Sequence, residues 1–271
     1  MYVIPRDRLP EGFAERIDHP PSEPAPTRPA ATVVLLRDGA DGPEILLLRR
    51  HRSSGFVPGA FVFAGGRVDD ADGDPRLLDR VDGLDGRAEP APAFWMAAVR
   101  EAFEEAGVLL ARDADGRAVP DSGRDPALAE WREALLSERA SLHELLEARE
   151  LRLALGDVVY CAHWITPVAE PRRYDTRFFL ARLPDGCDAC IDEREMTEAV
   201  WITAADALAR FRAARLPMVF PTVATIESLA PYRSVAEALD AFRGRPVEPV
   251  LPRLVRTAEG VTIVVDGDRA P

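Results

Sequence analysis

Lysine is absent from this chain: all 34 basic residues among its 271 are arginine. That excludes chemistry that needs a lysine amine, such as Schiff-base catalysis or a P-loop whose lysine reaches nucleotide phosphates. Cysteine is scarce, with only Cys161, Cys187 and Cys190. The last two form a lone CxxC. A structural zinc site would need two more ligands, and no second CxxC or HxxxH supplies them. The pair is therefore read as two small residues in a turn after the strand RFFLARLP. No apolar run approaches the roughly 18 to 20 residues that cross a bilayer. The opening MYVIPRDRLPEGFAERID carries prolines and acids where a signal peptide would carry an apolar core. The expectation is a cytoplasmic protein with no membrane partner. Positive charge is the minority: 46 acids leave a formal net charge of −12. That disfavours nucleic acid as a partner, because such binding rests on phosphate neutralisation by cations. A small anionic substrate stays open, since a local arginine cluster or a metal reverses the sign.

Hydrophobic residues make up 47% and charged residues 30%, an ordinary globular balance. Residues 1–30 hold seven prolines and little apolar periodicity, and are read as an extended arm. ATVVLLRD (31–38) and EILLLRRH (44–51) read as strands joined by an Asp41-Gly42-Pro43 turn. GAFVFAGG (59–66) contains a short strand, and residues 69–91, rich in Asp, Gly and Pro, read as a surface insertion. A helix is expected from about Ala93 to Ala111, with Trp95, Val99, Ala102, Phe103, Ala106, Leu109 and Leu110 on one face and Gly107 inside the pattern. A loop over 112–124 and two helices, about 126–138 and 140–149, come next. VVYCAHWITP and RYDTRFFLAR read as paired strands. EAVWIT (198–203) is a strand entering the helix AADALARFRAA. The rest reads as mostly helical, with VTIVVDGD as a last strand. The expected division is an arm over 1–30, a catalytic domain over 31–211 with insertions at about 69–91 and 112–150, and a mostly helical extension over 212–271.

The chemistry begins in the long helix. Glu101, Glu104 and Glu105 stand at i, i+3 and i+4, on one face, with Cβ atoms about 5 to 6 Å apart. Such like charges repel by about 4 kcal/mol per 4 Å pair at an effective dielectric of 20. A divalent cation removes that penalty, and clustered carboxylate oxygens are what Mg²⁺ or Mn²⁺ prefers. The same spacing also describes a solvated acidic helix face. Two features favour the site: the opposite face is strongly apolar, and a short strand upstream runs into Gly65-Gly66, where paired glycines allow a sharp turn.

Arg100-Glu101-Ala102-Phe103-Glu104-Glu105-Ala106-Gly107-Val108 resembles the second half of the Nudix box, and Gly66 supplies the opening glycine. The resemblance implies a strand–loop–helix inside an α+β fold, an α/β/α sandwich around a mixed sheet. It implies hydrolysis of a diphosphate in a nucleotide-containing small molecule, with Mg²⁺ or Mn²⁺ as cofactor. On that analogy Glu104 and Glu105 ligate metal directly. Glu101 binds a metal or its water, the Gly65 carbonyl is a further ligand, and Arg100 orients a glutamate. From Gly66 to Arg100 is 34 positions, about 20 more than the standard box. The box glutamate expected six after the glycine falls on Asp72, and Asp69 and Asp70 compete for its role. The segment HRSSGFVPGAFVFAGGRVDDAD with HWITP and RRYDTRFFLA is similar to the Nudix branch that includes peroxisomal coenzyme A diphosphatases. That branch implies coenzyme A or acyl-CoA as substrate. ADP-ribose, NADH and dinucleoside polyphosphates are alternatives, and a Nudix-fold ligand sensor without turnover is an alternative of another class. Nudix enzymes are often dimers, so a homodimer stays open.

Other residues carry readings on either side. Arg172, Arg173 and Arg177 could hold substrate phosphates or be surface arginines on a hairpin. Arg49, Arg50 and Arg52 follow a strand, and Arg50 is taken as the one that meets substrate together with Gly66. His163 could act as acid or base, or sit hydrogen-bonded in a sheet. Asp192, Glu193 and Glu195 precede the strand EAVWIT. Glu193 and Glu195 are candidates for an additional ligand or base, with Glu195 taken forward and Glu198 the next choice.

Overall fold

The computed structural model describes residues 2–5, 9, 12–53, 57–84, 89–192 and 194–265. The N-terminal segment read as an extended arm holds a strand, β1 (Val3–Pro5), and a short helix, α1 (Phe13–Asp18). It then feeds directly into β2 (Thr27–Gly39). A tight turn leads to β3 (Gly42–Arg50), and β4 (Phe61–Val62) and β5 (Ala64–Arg67) follow. The supposed surface insertion contains two 3₁₀ turns, Asp70–Gly73 and Pro75–Arg80, and β6 (Val81–Asp82). It is not wholly superficial, because Asp72 and Leu77 are buried beneath it.

The long helix, α2, runs from Pro92 to Ala106. It stops short of the expected Ala111 because Gly107 takes a left-handed conformation, φ 72°, which glycine adopts at little cost. Val108, Leu109 and Leu110 remain buried as extended chain, so their apolar periodicity reports the core and not the helix. After β7 (Ala111–Arg112) come α3 (Pro126–Leu136) and α4 (Leu142–Ala148). Asp125 and Ser141 cap them by accepting hydrogen bonds from first-turn N–H groups. Next are β8 (Arg152–Ala154), β9 (Val158–Ile165), β10 (Arg173–Arg182), β11 (Met196–Thr203), α5 (Ala204–Arg212), α6 (Phe220–Leu229) and α7 (Val235–Phe242). The C-terminal part is less helical than expected: it ends in β12 (Pro249–Val250), β13 (Arg253–Arg256) and β14 (Gly260–Val264).

The main sheet runs β11-β3-β2-β10-β9-β12, with β4 on β3 and β5 on β2. It is mixed: β10 pairs with β2 in parallel and with β9 antiparallel. β2 is apolar from Ala30 to Leu36, Thr32 apart, because both its faces are covered there. Val33 and Leu35 pack toward α2, α3 and α4. Val34 and Leu36 pack toward α5, α6 and α7. The result is helices on both sides of a mixed sheet, as expected. Two small sheets flank it, β6-β8-β7 and β1-β14-β13. In the second, Ile4 pairs with Val261, so the two ends of the chain close on each other.

Gly107 supports both the end of α2 and its contact with the loop after β10. A Cβ there would lie 2.5 Å from Ser122 Oγ and 2.9 Å from the Cys190 carbonyl oxygen, in a backbone region that L-residues avoid. Gly107→Ala is expected to lower unfolding free energy by about 1 to 3 kcal/mol, read as a shifted urea midpoint. An unchanged midpoint would contradict this account.

Candidate active site

Helix α2 packs on β2 and β5, burying Trp95, Val99, Phe103 and Ala106. This turns Arg100, Glu101, Glu104 and Glu105 toward Gly65 and Gly66, which form no sharp turn as expected but lie within β5, opposite Thr32 and Ala31 of β2. Gly66 is required by that approach: a Cβ on it would stand 2.3 Å from Glu101 Oε1. Gly65 likewise lies too close to β2 for a side chain, and its N–H donates to Glu105 Oε2 at 2.9 Å.

Arg100 is buried, and all five of its N–H donors are used. Nε and Nη2 bind the two oxygens of Asp72 at 2.9 and 3.0 Å. Nη1 donates to Glu101 and to Glu104, each at 2.8 Å. Nη2 also donates to the Arg67 carbonyl at 2.8 Å. The 3₁₀ turn therefore selects among the three aspartates. Asp72 is inside and paired. Asp69 lies 3.6 Å from the guanidinium and donates its N–H to Asp72. Asp70 is exposed.

Burial shifts the acids upward. Desolvation pushes Glu101 to about 7, against the pull of Arg100 beside it. Glu104 is raised by the same cause, also opposed by Arg100. Glu105 is raised well above the carboxylate range by burial, with the charge of Glu101 adding to it. For Arg100, its own desolvation works against the charge, yet the bond to Asp72 and the surrounding carboxylates more than offset it and raise its pKa.

The C-terminal carbonyls of α2 are met from outside. Arg132 of α3 donates to the Glu104 carbonyl through Nε and Nη2, at 2.9 and 2.7 Å. The N–H groups of Cys190 and Asp192 reach the carbonyls of Ala106 and Glu105, at 2.8 and 3.4 Å. This brings Asp192 and Glu195 to the site. Sequence reasoning missed Arg132; its signal was a lone arginine on the face of α3 that otherwise carries Leu128 and Leu135.

These groups lie at one end of a cavity of about 750 Å³. Its wall includes Arg50, Gly65, Gly66, Glu101, Glu104 and Glu105, with Asp192 and Glu195. Three buried atoms of the wall have no hydrogen-bond partner, Arg50 Nε, Asp192 Oδ2 and Trp164 Nε1. An orphaned carboxylate oxygen beside three glutamates is a set of hard donors that fits Mg²⁺ or Mn²⁺. Among the described residues no three acids converge as a ready cation cage. Arg100 draws Glu101 and Glu104 to itself, and the Gly65 N–H holds Glu105.

Several expected residues lie elsewhere. Arg177 does not line the cavity: it pairs with Asp175 and its guanidinium covers the Phe94 ring at 4.4 Å. Its neighbour Thr176 does line the cavity, as strand alternation requires. Arg173 is spent on the carbonyls of Thr166 and Ala25, and Arg172 is exposed and off the wall. Neither Arg49 nor Arg52 lines the cavity, and Arg49 pairs with Glu198 at 3.3 Å. His163 Nε2 lies 2.5 Å from Asp175 Oδ1, matching the sheet-bonded reading. Glu193 falls outside the described residues. Cys187 and Cys190 are unbridged, and their segment forms the turn that caps α2.

A mixed sheet between helix layers, with a carboxylate helix packed on a glycine-containing strand and opening on a cavity, defines a Nudix hydrolase, an enzyme that splits diphosphate linkages. The chain belongs to the NUDT19 Nudix domain family, whose pattern matches residues 79–229. It is 29% identical to human acyl-coenzyme A diphosphatase NUDT19, over 92% of this chain and 74% of that protein. It is 28% identical to the Gallus gallus protein of the same name, over 88% and 78%. The crystal structure of a Nudix hydrolase from Alicyclobacillus acidocaldarius is 32% identical and superposes with a TM-score of 0.72, covering 82% of this chain and 99% of that one. Among the described residues no helix is long and apolar enough to cross a membrane.

The Arg100–Asp72 pair yields a direct test. Asp72→Ala removes two of the five guanidinium bonds and leaves buried charge uncompensated. It is expected to cost about 3 to 5 kcal/mol, whereas Asp70→Ala should stay within about 0.5 kcal/mol. Equal denaturation midpoints for the two variants would refute the selection of Asp72.

Proposed function

We propose that the chain hydrolyses the diphosphate of coenzyme A or an acyl-CoA, giving 3′,5′-ADP and a phosphopantetheine or its acyl derivative. One observation carries this reading: the carboxylate helix opens on a cavity large enough for such a substrate in a chain of which 92% and 88% align with relatives named acyl-coenzyme A diphosphatases. Glu101, Glu104, Glu105 and Asp192 would hold the cation, Mg²⁺ or Mn²⁺, with Gly65 of β5 alongside. When bound, the cation supplies Lewis acidity and offsets the charge of the diphosphate.

The protein's own groups do the rest. Arg50 is the arginine on the wall with an unpartnered Nε, suited to a phosphate oxygen. Gly66 lets the substrate approach the backbone closely. Arg100 takes no part in bond making: it fixes Glu101 and Glu104 in one orientation. Glu195, exposed on the cavity rim, accepts the proton as water attacks phosphorus. The new P–O bond replaces the anhydride bond, and the second phosphate leaves as a monoester.

The test is incubation of the protein with CoA, acyl-CoAs, ADP-ribose, NADH and diadenosine polyphosphates, each with Mg²⁺ or Mn²⁺, and products identified by mass. Metal-dependent release of 3′,5′-ADP from the CoA species alone is the expected result. Turnover confined to another substrate would discard the CoA assignment, and no turnover of any would move the reading to a ligand sensor. Glu104→Gln and Glu105→Gln should each lower kcat by at least a hundredfold with the fold retained. Mg²⁺ or Mn²⁺ at a hundred times its Kd should stabilise the wild type by about 2.7 kcal/mol, read as a raised Tm. That rise should shrink in both variants.

A further inference from the structure

The cavity does not end at the carboxylates. Arg50, Arg67 and Arg100 are the cations on its described wall, and Arg50, Arg100 and the Arg67 backbone belong to the acidic end. Arg100 binds Glu101, Glu104 and the Arg67 carbonyl, while Arg50 acts on Glu105. The other part of the wall is apolar and is built by the two ends of the chain. Leu254 and Ile263 are cross-strand partners on β13 and β14, and Ile4 comes from β1. Phe220 at the start of α6 lies edge-on to Tyr2 and to Trp164, with ring centroids 5.6 and 5.5 Å apart. Hydroxyls of Thr166 and Thr176 interrupt this surface.

A substrate held at its diphosphate by the acidic end has two arms. The 3′-phosphorylated nucleoside is anionic. Where none of the described residues named for the compartment is a cation, and with Glu170 on the cavity wall, that arm would be desolvated without a partner. The acyl-pantetheine arm is neutral: its amides suit the threonine hydroxyls, and its hydrocarbon end suits the aliphatic wall. Resting on the diphosphatase reading above, we infer that the compartment formed by β1, β13, β14 and the start of α6 takes the acyl-pantetheine arm, and that Leu254 and Ile263 set the acyl length accepted. The nucleoside arm stays at the open, arginine-bearing end.

The experiment compares wild type with Leu254→Trp and Ile263→Trp, which fill the compartment, and Leu254→Ala, which enlarges it. The quantity read is the ratio of kcat/KM for acyl-CoA to that for free CoA along a series of chain lengths. In the wild type it should rise by about fourfold per methylene until the compartment is full. Each tryptophan variant should lower the decanoyl-CoA ratio at least tenfold, chiefly through KM. Leu254→Ala should move the preferred chain longer. A ratio independent of chain length, or equal in wild type and tryptophan variants, would overturn the inference. Calorimetric titration with S-decanoyl-pantetheine, without metal, separates the two readings. If no CoA species is hydrolysed, the diphosphatase reading fails. The compartment still stands if the wild type binds this ligand and the tryptophan variants do not, and falls if the wild type does not bind it.

Discussion

The site depends on one buried guanidinium. Helix geometry brings Glu101, Glu104 and Glu105 to one face, and packing on β2 and β5 takes that face out of water. Each acid is driven toward its protonated form by burial. Arg100 holds the arrangement together because its donors are spread over a planar fork. One edge takes both oxygens of Asp72, while Nη1 serves Glu101 and Glu104. A lysine offers three donors from a single point and could not span these partners. In a chain whose every basic residue is arginine, the most demanding use of that chemistry is here.

The second constraint is the end of the same helix. A helix leaves its last carbonyls without internal partners, and these must be met if the end is buried. Here the partners are Arg132 and the N–H groups of Cys190 and Asp192. The need to cap α2 therefore orients the loop that delivers Asp192 and Glu195 to the cavity. The guanidinium of Arg132 also complements the negative end of the helix dipole. Gly107, without a Cβ, lets the Cys190 backbone approach. Both CxxC cysteines thus lie in a structural turn.

What was legible in the sequence was local. The Arg100, Glu101, Glu104 and Glu105 spacing is a property of one helix, and the close approach at Gly65-Gly66 was legible from the missing side chains, although the pair lies in β5 and not in a turn. The layered fold was implied by the resemblance carried on that helix, and the structure bears it out with a β2 whose two faces are both covered. What was illegible depends on pairing across distance. Asp69, Asp70 and Asp72 are equivalent until a 3₁₀ turn seats one of them against Arg100. Arg177 and Arg173 looked like phosphate ligands, but strand alternation gave the cavity to Thr176 and turned Arg177 to Asp175 and Phe94. The N-terminal segment looked unstructured because its strand partner lies some 260 residues later. The apolar positions after Gly107 looked helical because a buried extended run and a buried helical turn carry the same residue types.

These placements fix the sign of the catalytic wall. Asp69, Glu101, Glu104, Glu105, Asp192 and Glu195 share it with Arg50, Arg67 and Arg100. The donors of Arg100 are already consumed, so the cavity offers a diphosphate little unspent positive charge. Arg173, Arg177 and Arg49 each hold a carbonyl or carboxylate of the scaffold and lie off the cavity wall. An anionic substrate can therefore be held at this end only if further positive charge arrives with it, and the acids supply hard oxygen donors for such a cation. The acidity of the site and its dependence on a divalent ion are, under the proposed function, one property. The apolar compartment at the far end of the same cavity needs no such compensation, so charge alone sorts the two arms of the substrate.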